Sequence, residues 1–89
     1  MLNYNLLPVG LRSGMRQYIE NGIRPGYFLY CVLENNFIGA FNWANSENRE
    51  RMGEIVSFLC NEAPVACFGS RQQVEAYIKW KTSGAKQGD

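Results

Sequence analysis

Two stretches of this chain pair side chains that could do chemistry. The first is Gly22-Ile23-Arg24-Pro25-Gly26-Tyr27, with Tyr30 and Asn36 close behind. A guanidinium beside tyrosine rings suits a planar ligand such as a nucleobase, through stacking and cation–π attraction. The plainer reading is a helix–helix connection whose tyrosines cover the core edge with their hydroxyls in water. The second is the loop from Asn61 to Arg71, which ends Cys67-Phe68-Gly69-Ser70-Arg71 at the start of a helix. Free N–H groups and the helix dipole favour an anion there, and Arg71 adds a charge that can fork onto a phosphate or carboxylate. Here the plainer reading makes Ser70 an N-cap, Phe68 a core plug and Arg71 a solvated first-turn residue. Arg24, Tyr27, Tyr30, Asn36, Phe68, Ser70 and Arg71 are therefore the candidate ligand-binding residues.

A third stretch, Asn45 to Arg51, would be the recognition helix of a DNA-binding regulator, with Asn48 and Arg49 on base edges. Glu47, Glu50 and Glu54 on the same helix oppose phosphate contact, and local ion pairs on a solvated face explain the run as well. Net charge is only +1, from nine basic and eight acidic residues, with the signs mixed along the chain. That is a poor basis for nucleic-acid or anionic-membrane binding.

Catalysis finds few groups to work with. There is no histidine, and the only aspartate is Asp89. His-based acid–base chemistry, Ser–His–Asp and Cys–His nucleophiles, and most zinc and calcium sites lose their ligands at once. Glu20, Glu34, Glu54 and Glu62 form no acid–base pair by spacing. Cys60 and Cys67 match no zinc template, and three cysteines without close pairs read as small core residues kept reduced. No enzyme activity, no metal and no cofactor is expected.

The elements that position these groups follow from apolar periodicity. Pro8 opens a helix over about 8–21, with Leu11, Met15, Tyr18 and Ile19 on one face; Gly22 caps it and Ile23 makes the contact after the cap. Tyr27 to Asn35 is apolar on most sides. A helix is preferred to a strand, because no second alternating segment exists to pair with it. Asn35-Asn36 interrupts, and Phe37 to about Trp43 forms a short helical piece. Asn45 or Ser46 caps a helix over about 46–62, carrying Met52, Ile55, Val56, Leu59 and Cys60 and stopped by Pro64. After an apolar loop over 65–69, Ser70 and Gln73 form a capping box for a last helix over about 71–82, with a frayed tail from 83. The fold expected is a single all-α domain, a compact bundle of four to five short helices.

Hydrophobic residues are 46% of the 89 residues and aromatics 13%, too many to hide in a core this small. A homo-oligomer follows as an expectation, with Phe37, Trp43 and Trp80 as interface candidates. No signal peptide or membrane-length apolar run is visible, so a cytoplasmic protein is expected.

Several segments together resemble a family of small phage- and prophage-encoded proteins. They are Tyr18 to Leu29, Val32-Leu33-Glu34-Asn35-Asn36, Asn48-Arg49, Cys60-Asn61-Glu62-Ala63-Pro64, Cys67-Phe68-Gly69-Ser70 and Val74 to Ile78, within about residues 11–80. Members often carry a proline where Arg24 stands, an aspartate at Asn36 and a tryptophan at Phe68. The resemblance implies an origin in a mobile genome and an accessory role. Binding fits such a role: capture of a host or defence protein, or sequestration of a small nucleotide-like signal by an oligomer.

Overall fold

Apolar residues spaced three or four apart make helices here, and the breaks fall where side chains or glycine satisfy the helix ends. The computed structural model describes residues 2–87, with side chains through 83. Six α-helices follow in order: α1 (Val9–Asn21), α2 (Tyr27–Leu33), α3 (Phe37–Trp43), α4 (Ser46–Glu50), α5 (Met52–Asn61) and α6 (Arg71–Gln87). Two short 3₁₀ turns, Tyr4–Leu6 and Val65–Cys67, complete the described residues, which contain no strand. The fold is an all-α bundle, as the periodicity predicts.

The caps explain the boundaries. Gly22 closes α1 in the left-handed region (φ 71°), with the Ile23 N–H reaching back to the Gln17 carbonyl. Glycine is needed there twice over, since a Cβ would lie 2.6 Å from the Lys81 Cβ on α6. Ile23 itself is half exposed, so the expected contact after the cap is not the one that holds α1. Asn35 takes the left-handed turn (φ 67°) that reverses the chain between α2 and α3, a conformation asparagine tolerates. Asn36 and Asn45 accept from Gly39 N–H and Asn48 N–H as N-caps of α3 and α4. Ser70 Oγ accepts from Gln73 N–H at 3.1 Å, the cap expected for α6. The Gln73 side chain donates to the Ala66 carbonyl instead of returning to Ser70, so only half of the capping box forms.

Three expectations change. Pro8 stands at the N-cap of α1, one position before the first helical residue. The helix expected over 46–62 bends at Arg51 (φ −102°, ψ 19°), which makes two helices of one. The bond from Arg51 N–H to Glu47 O survives the bend, so this is a local kink. The last helix runs to Gln87, past the expected end at 82; Gly88 and Asp89 lie outside the described residues.

The core gathers Leu7, Met15, Tyr18, Leu33, Ile55 and Val74, all without exposed surface. Two tyrosines bridge its layers. Tyr18 of α1 donates its hydroxyl to the Cys67 carbonyl at 2.6 Å, and Tyr77 of α6 donates to the Ile19 carbonyl at 2.5 Å. Their ring centroids lie 5.2 Å apart. Each phenol thus closes a polar account inside an apolar core. Tyr18→Phe, which strands a buried carbonyl, is expected to cost about 1–3 kcal/mol and to lower Tm by at least about 4 °C. Tyr4→Phe, at a part-buried hydroxyl bonded to Glu20, should shift Tm far less. Thermal melts of both variants check this ordering; an unchanged Tm for Tyr18→Phe would contradict it.

Candidate functional site

The connection after α1 brings Arg24 over the side of α6, and α2 brings Tyr30 to the same place. Arg24 forks onto Glu75, one nitrogen bonding Oε2 and Nη2 donating to Oε1 at 2.8 Å. The Tyr30 hydroxyl donates to Glu75 Oε2 as well. Arg71 stands one helical turn before Glu75 and lies 3.5 Å from Glu34 Oε1, at the C-terminal end of α2. The Tyr30 ring has the Arg24 guanidinium carbon 5.5 Å from its centre and that of Arg71 at 5.9 Å. Three of the predicted ligand residues, Arg24, Tyr30 and Arg71, do come together.

Two carboxylates come with them. Neither Glu34 nor Glu75 is marked as a partner of these arginines by the candidate binding pattern in the sequence. The signal for Glu75 was its i,i+4 spacing from Arg71, which puts both on one face of a helix. The cluster holds two guanidiniums and two carboxylates and is neutral. The Arg24 fork is taken, so an incoming anion would have to displace Glu75. The bonds from Arg24 and Tyr30 hold the Glu75 carboxyl down at about 2, and the same bond raises the Tyr30 phenol. The group acts as a latch between the 22–26 connection, α2 and α6.

The other predicted ligand residues lie elsewhere or have other work. Tyr27 packs its ring on Trp43 with centroids 5.0 Å apart. Asn36 spends its side-chain oxygen on the α3 cap, and Ser70 spends its hydroxyl on the α6 cap. Phe68, half-buried, lines an apolar groove of about 250 Å³ with Leu33, Phe37, Val56 and Leu59. No charged side chain lines that groove, which makes it unsuited to a nucleotide phosphate.

No family model, curated protein or solved structure matches this chain. The site must therefore be read from its own geometry, and the surface around α3 is its most distinctive part. All three predicted interface residues are exposed: Phe37 and Trp43 on α3, and Trp80 on α6, where the Lys81 ammonium sits 5.2 Å from the indole. Sequence reasoning missed Ile38, which is 88% exposed, and Phe41. Both fall on the short helical piece expected from Phe37 to about Trp43, of which α3 buries only Ala40. Gly39 permits this shallow docking, because a Cβ there would lie 2.9 Å from Cys31 Sγ on α2.

The stretch considered for base reading is organised for structure. Asn48 is buried, Arg51 is held by Glu47 and Glu54, and Arg49 donates to the Phe41 carbonyl. Among the cysteines Cys31 and Cys67 are buried as expected, whereas Cys60 is exposed. Among the described residues no three His, Cys, Asp or Glu side chains are grouped to hold a metal, and no helix is long and apolar enough to cross a membrane.

The latch has a pH signature. Glu75 is a weaker base folded than unfolded, so its stabilisation is present above the unfolded carboxyl value of about 4.3 and is lost as pH falls through about 2. Glu75→Gln is expected to lower Tm at neutral pH, with the gap from the parent closing between about pH 4 and 2. Melts across that range check it; a gap that stays constant with pH would show that the carboxylate charge is not what matters.

Proposed function

We propose that this chain is a phage-encoded accessory protein that acts in the host cytoplasm by binding, without catalysis, and that the α2–α3 hairpin is its binding element. One observation carries the reading. α3 is a seven-residue helix that buries one alanine and exposes Phe37, Ile38, Phe41 and Trp43. With Tyr27, 70% exposed beside Trp43, these side chains present on the order of 600 Å² of apolar surface, against about 800 Å² per partner in a standard protein interface. Such a surface costs solubility unless something covers it. Stacked Tyr and Trp rings are also the residue types that most often dominate binding energy.

A protein partner, from the host or its defences, fits this surface better than a small nucleotide-like signal does. The arginines that would take an anion beside Tyr30 are already paired with Glu75 and Glu34. Without that partner, the same face would pair copies of the chain. The accessory role and the phage origin rest on the sequence resemblance; the choice of surface rests on the exposure of α3.

The test sets two double variants against each other in host cells that express the chain and carry a defence system it relieves. Tyr27→Ser with Trp43→Ser should abolish the rise in plaque number while leaving the helical circular dichroism intact. Each ring removed from a central contact would cost about 2 kcal/mol of binding or more. Arg24→Ala with Arg71→Ala should keep most of the effect. The reverse pattern, with the arginines required and the rings dispensable, would overturn the reading in favour of an anionic ligand at the latch.

A further inference from the structure

A polar depression lies between the middle of α1 and the N-terminal turn, and it differs from the latch in its charge. It has a volume of about 400 Å³ and is lined by Tyr4, Asn5, Arg12, Ser13, Arg16 and Gln17. None of these is acidic. Four of them, at positions 12, 13, 16 and 17, recur as two i,i+4 pairs and so share one side of α1. Arg12 and Arg16 are thus like charges one turn apart, a mildly unfavourable arrangement that an anion bound between them would relieve.

The donors are held in place. Arg12 Nε donates to the Leu7 carbonyl at 2.9 Å and Nη2 to the Asn5 carbonyl at 3.0 Å, which fixes the guanidinium plane against the N-terminal turn. These two carbonyls leave its charge uncompensated, and among the described residues Arg12 makes no ion pair, unlike Arg24, Arg51 and Arg71. Its third nitrogen is left to bond outward. Arg16 lies with its guanidinium carbon 4.9 Å from the centre of the Tyr4 ring. Gln17 Oε1 accepts from Asn21 at 2.9 Å, so the end of the amide left over is its NH₂ donor. The Ser13 hydroxyl is a further donor. Two carboxylates stand at the margins of the depression. Glu62 accepts from the Asn3 N–H at 3.1 Å in the N-terminal turn. Glu20 takes the Tyr4 hydroxyl, lies 3.9 Å from Arg16 across an exposed pair, and is the one that touches lining side chains. It stands two turns along α1 from Arg12, roughly 12 Å away along the helix axis.

We propose that this depression is a binding site for the phosphate group of a small metabolite. Two guanidiniums, a hydroxyl and a primary amide are hydrogen-bond donors suited to a tetrahedral, doubly charged group with several acceptor oxygens. The volume falls in the range of small-molecule sites, about 300–1,000 Å³, and exceeds what a phosphate alone would fill. The rest of the space is for the group that carries the phosphate. The site is separate from the α2–α3 surface and does not depend on what that surface binds.

Isothermal titration with inorganic phosphate and with a nucleoside monophosphate tests the proposal, with the nitrogen-15 spectrum of the protein recorded alongside. Saturable one-to-one binding is expected, with the largest shifts at the amides of residues 12–17. The monophosphate should bind about tenfold more tightly than inorganic phosphate; equal affinities would assign the site to free phosphate. Arg16→Gln and Ser13→Ala leave the bonds from Arg12 to the N-terminal turn in place. Arg16→Gln should weaken binding by about 10- to 100-fold, and Ser13→Ala by several-fold. No saturable binding of either probe at about 10 mM, or binding that both variants leave unchanged, would overturn the proposal.

Discussion

Tyr18 and Tyr77 bury their phenols in a core with little room for polar groups, and each can stay there only by reaching one particular carbonyl. Tyr18 reaches Cys67 in the turn before α6, and Tyr77 reaches Ile19 near the end of α1. An unmade bond at either place would cost more than a made one contributes, so these contacts set the register of α1 against α6. The Gly69 N–H bonds the Leu33 carbonyl at 2.8 Å and ties the end of α2 into the same frame. Burial holds both phenols protonated well above their usual range, Tyr77 up to about 12. The rest of the chain is arranged around this frame. α5 contributes Ile55, Phe58 and Leu59 to the core, and the Arg24–Glu75–Tyr30 latch closes its rim.

A frame that satisfies itself this way leaves α3 outside. Gly39 lets α3 rest on α2, and most of its large side chains have nowhere to go. In a chain of this size the core is filled by one face of α1, α5 and α6 together with most of α2, and a further apolar helix is surplus to folding. That surplus is the physical basis for reading α3 as a binding element. The latch, by contrast, shows how a pattern that looks like an anion site can be internally neutralised. Arginines beside tyrosine mark a place of strong interaction, and here the partner is supplied by the chain itself.

Much of the fold was legible because its helices have a single apolar stripe. Met15, Tyr18 and Ile19, then Met52, Ile55 and Leu59, then Val74 and Tyr77 all face the core as spacing predicts. Gly22, Asn36, Asn45 and Ser70 cap or close helices for reasons that reside in their own side chains or backbone freedom. What could not be read was non-local. Glu75 lies 51 positions from Arg24, and nothing in either neighbourhood announces the pairing. The exposure of Ile38 and Phe41 depends on whether the core has space left, which periodicity does not register. The kink at Arg51 lies inside a continuous apolar pattern and is invisible to it. The grouping of Arg24, Tyr30 and Arg71 was legible from chemistry, whereas Tyr27 turned to Trp43 because α3 folds back along α2.

The dependence of the structure on its two buried phenols is open to direct measurement by following tyrosinate absorbance and helical circular dichroism together as pH rises. An unfolded tyrosine releases its proton near pH 10, while the folded protein retains those of Tyr18 and Tyr77. Above that pH the unfolded state therefore binds fewer protons, and stability falls with each further increase. The account predicts a late phase of tyrosine ionisation that coincides with loss of helix, because these phenols can ionise only when the frame opens. Complete ionisation of all five tyrosines near pH 10 with the helical signal unchanged would contradict it.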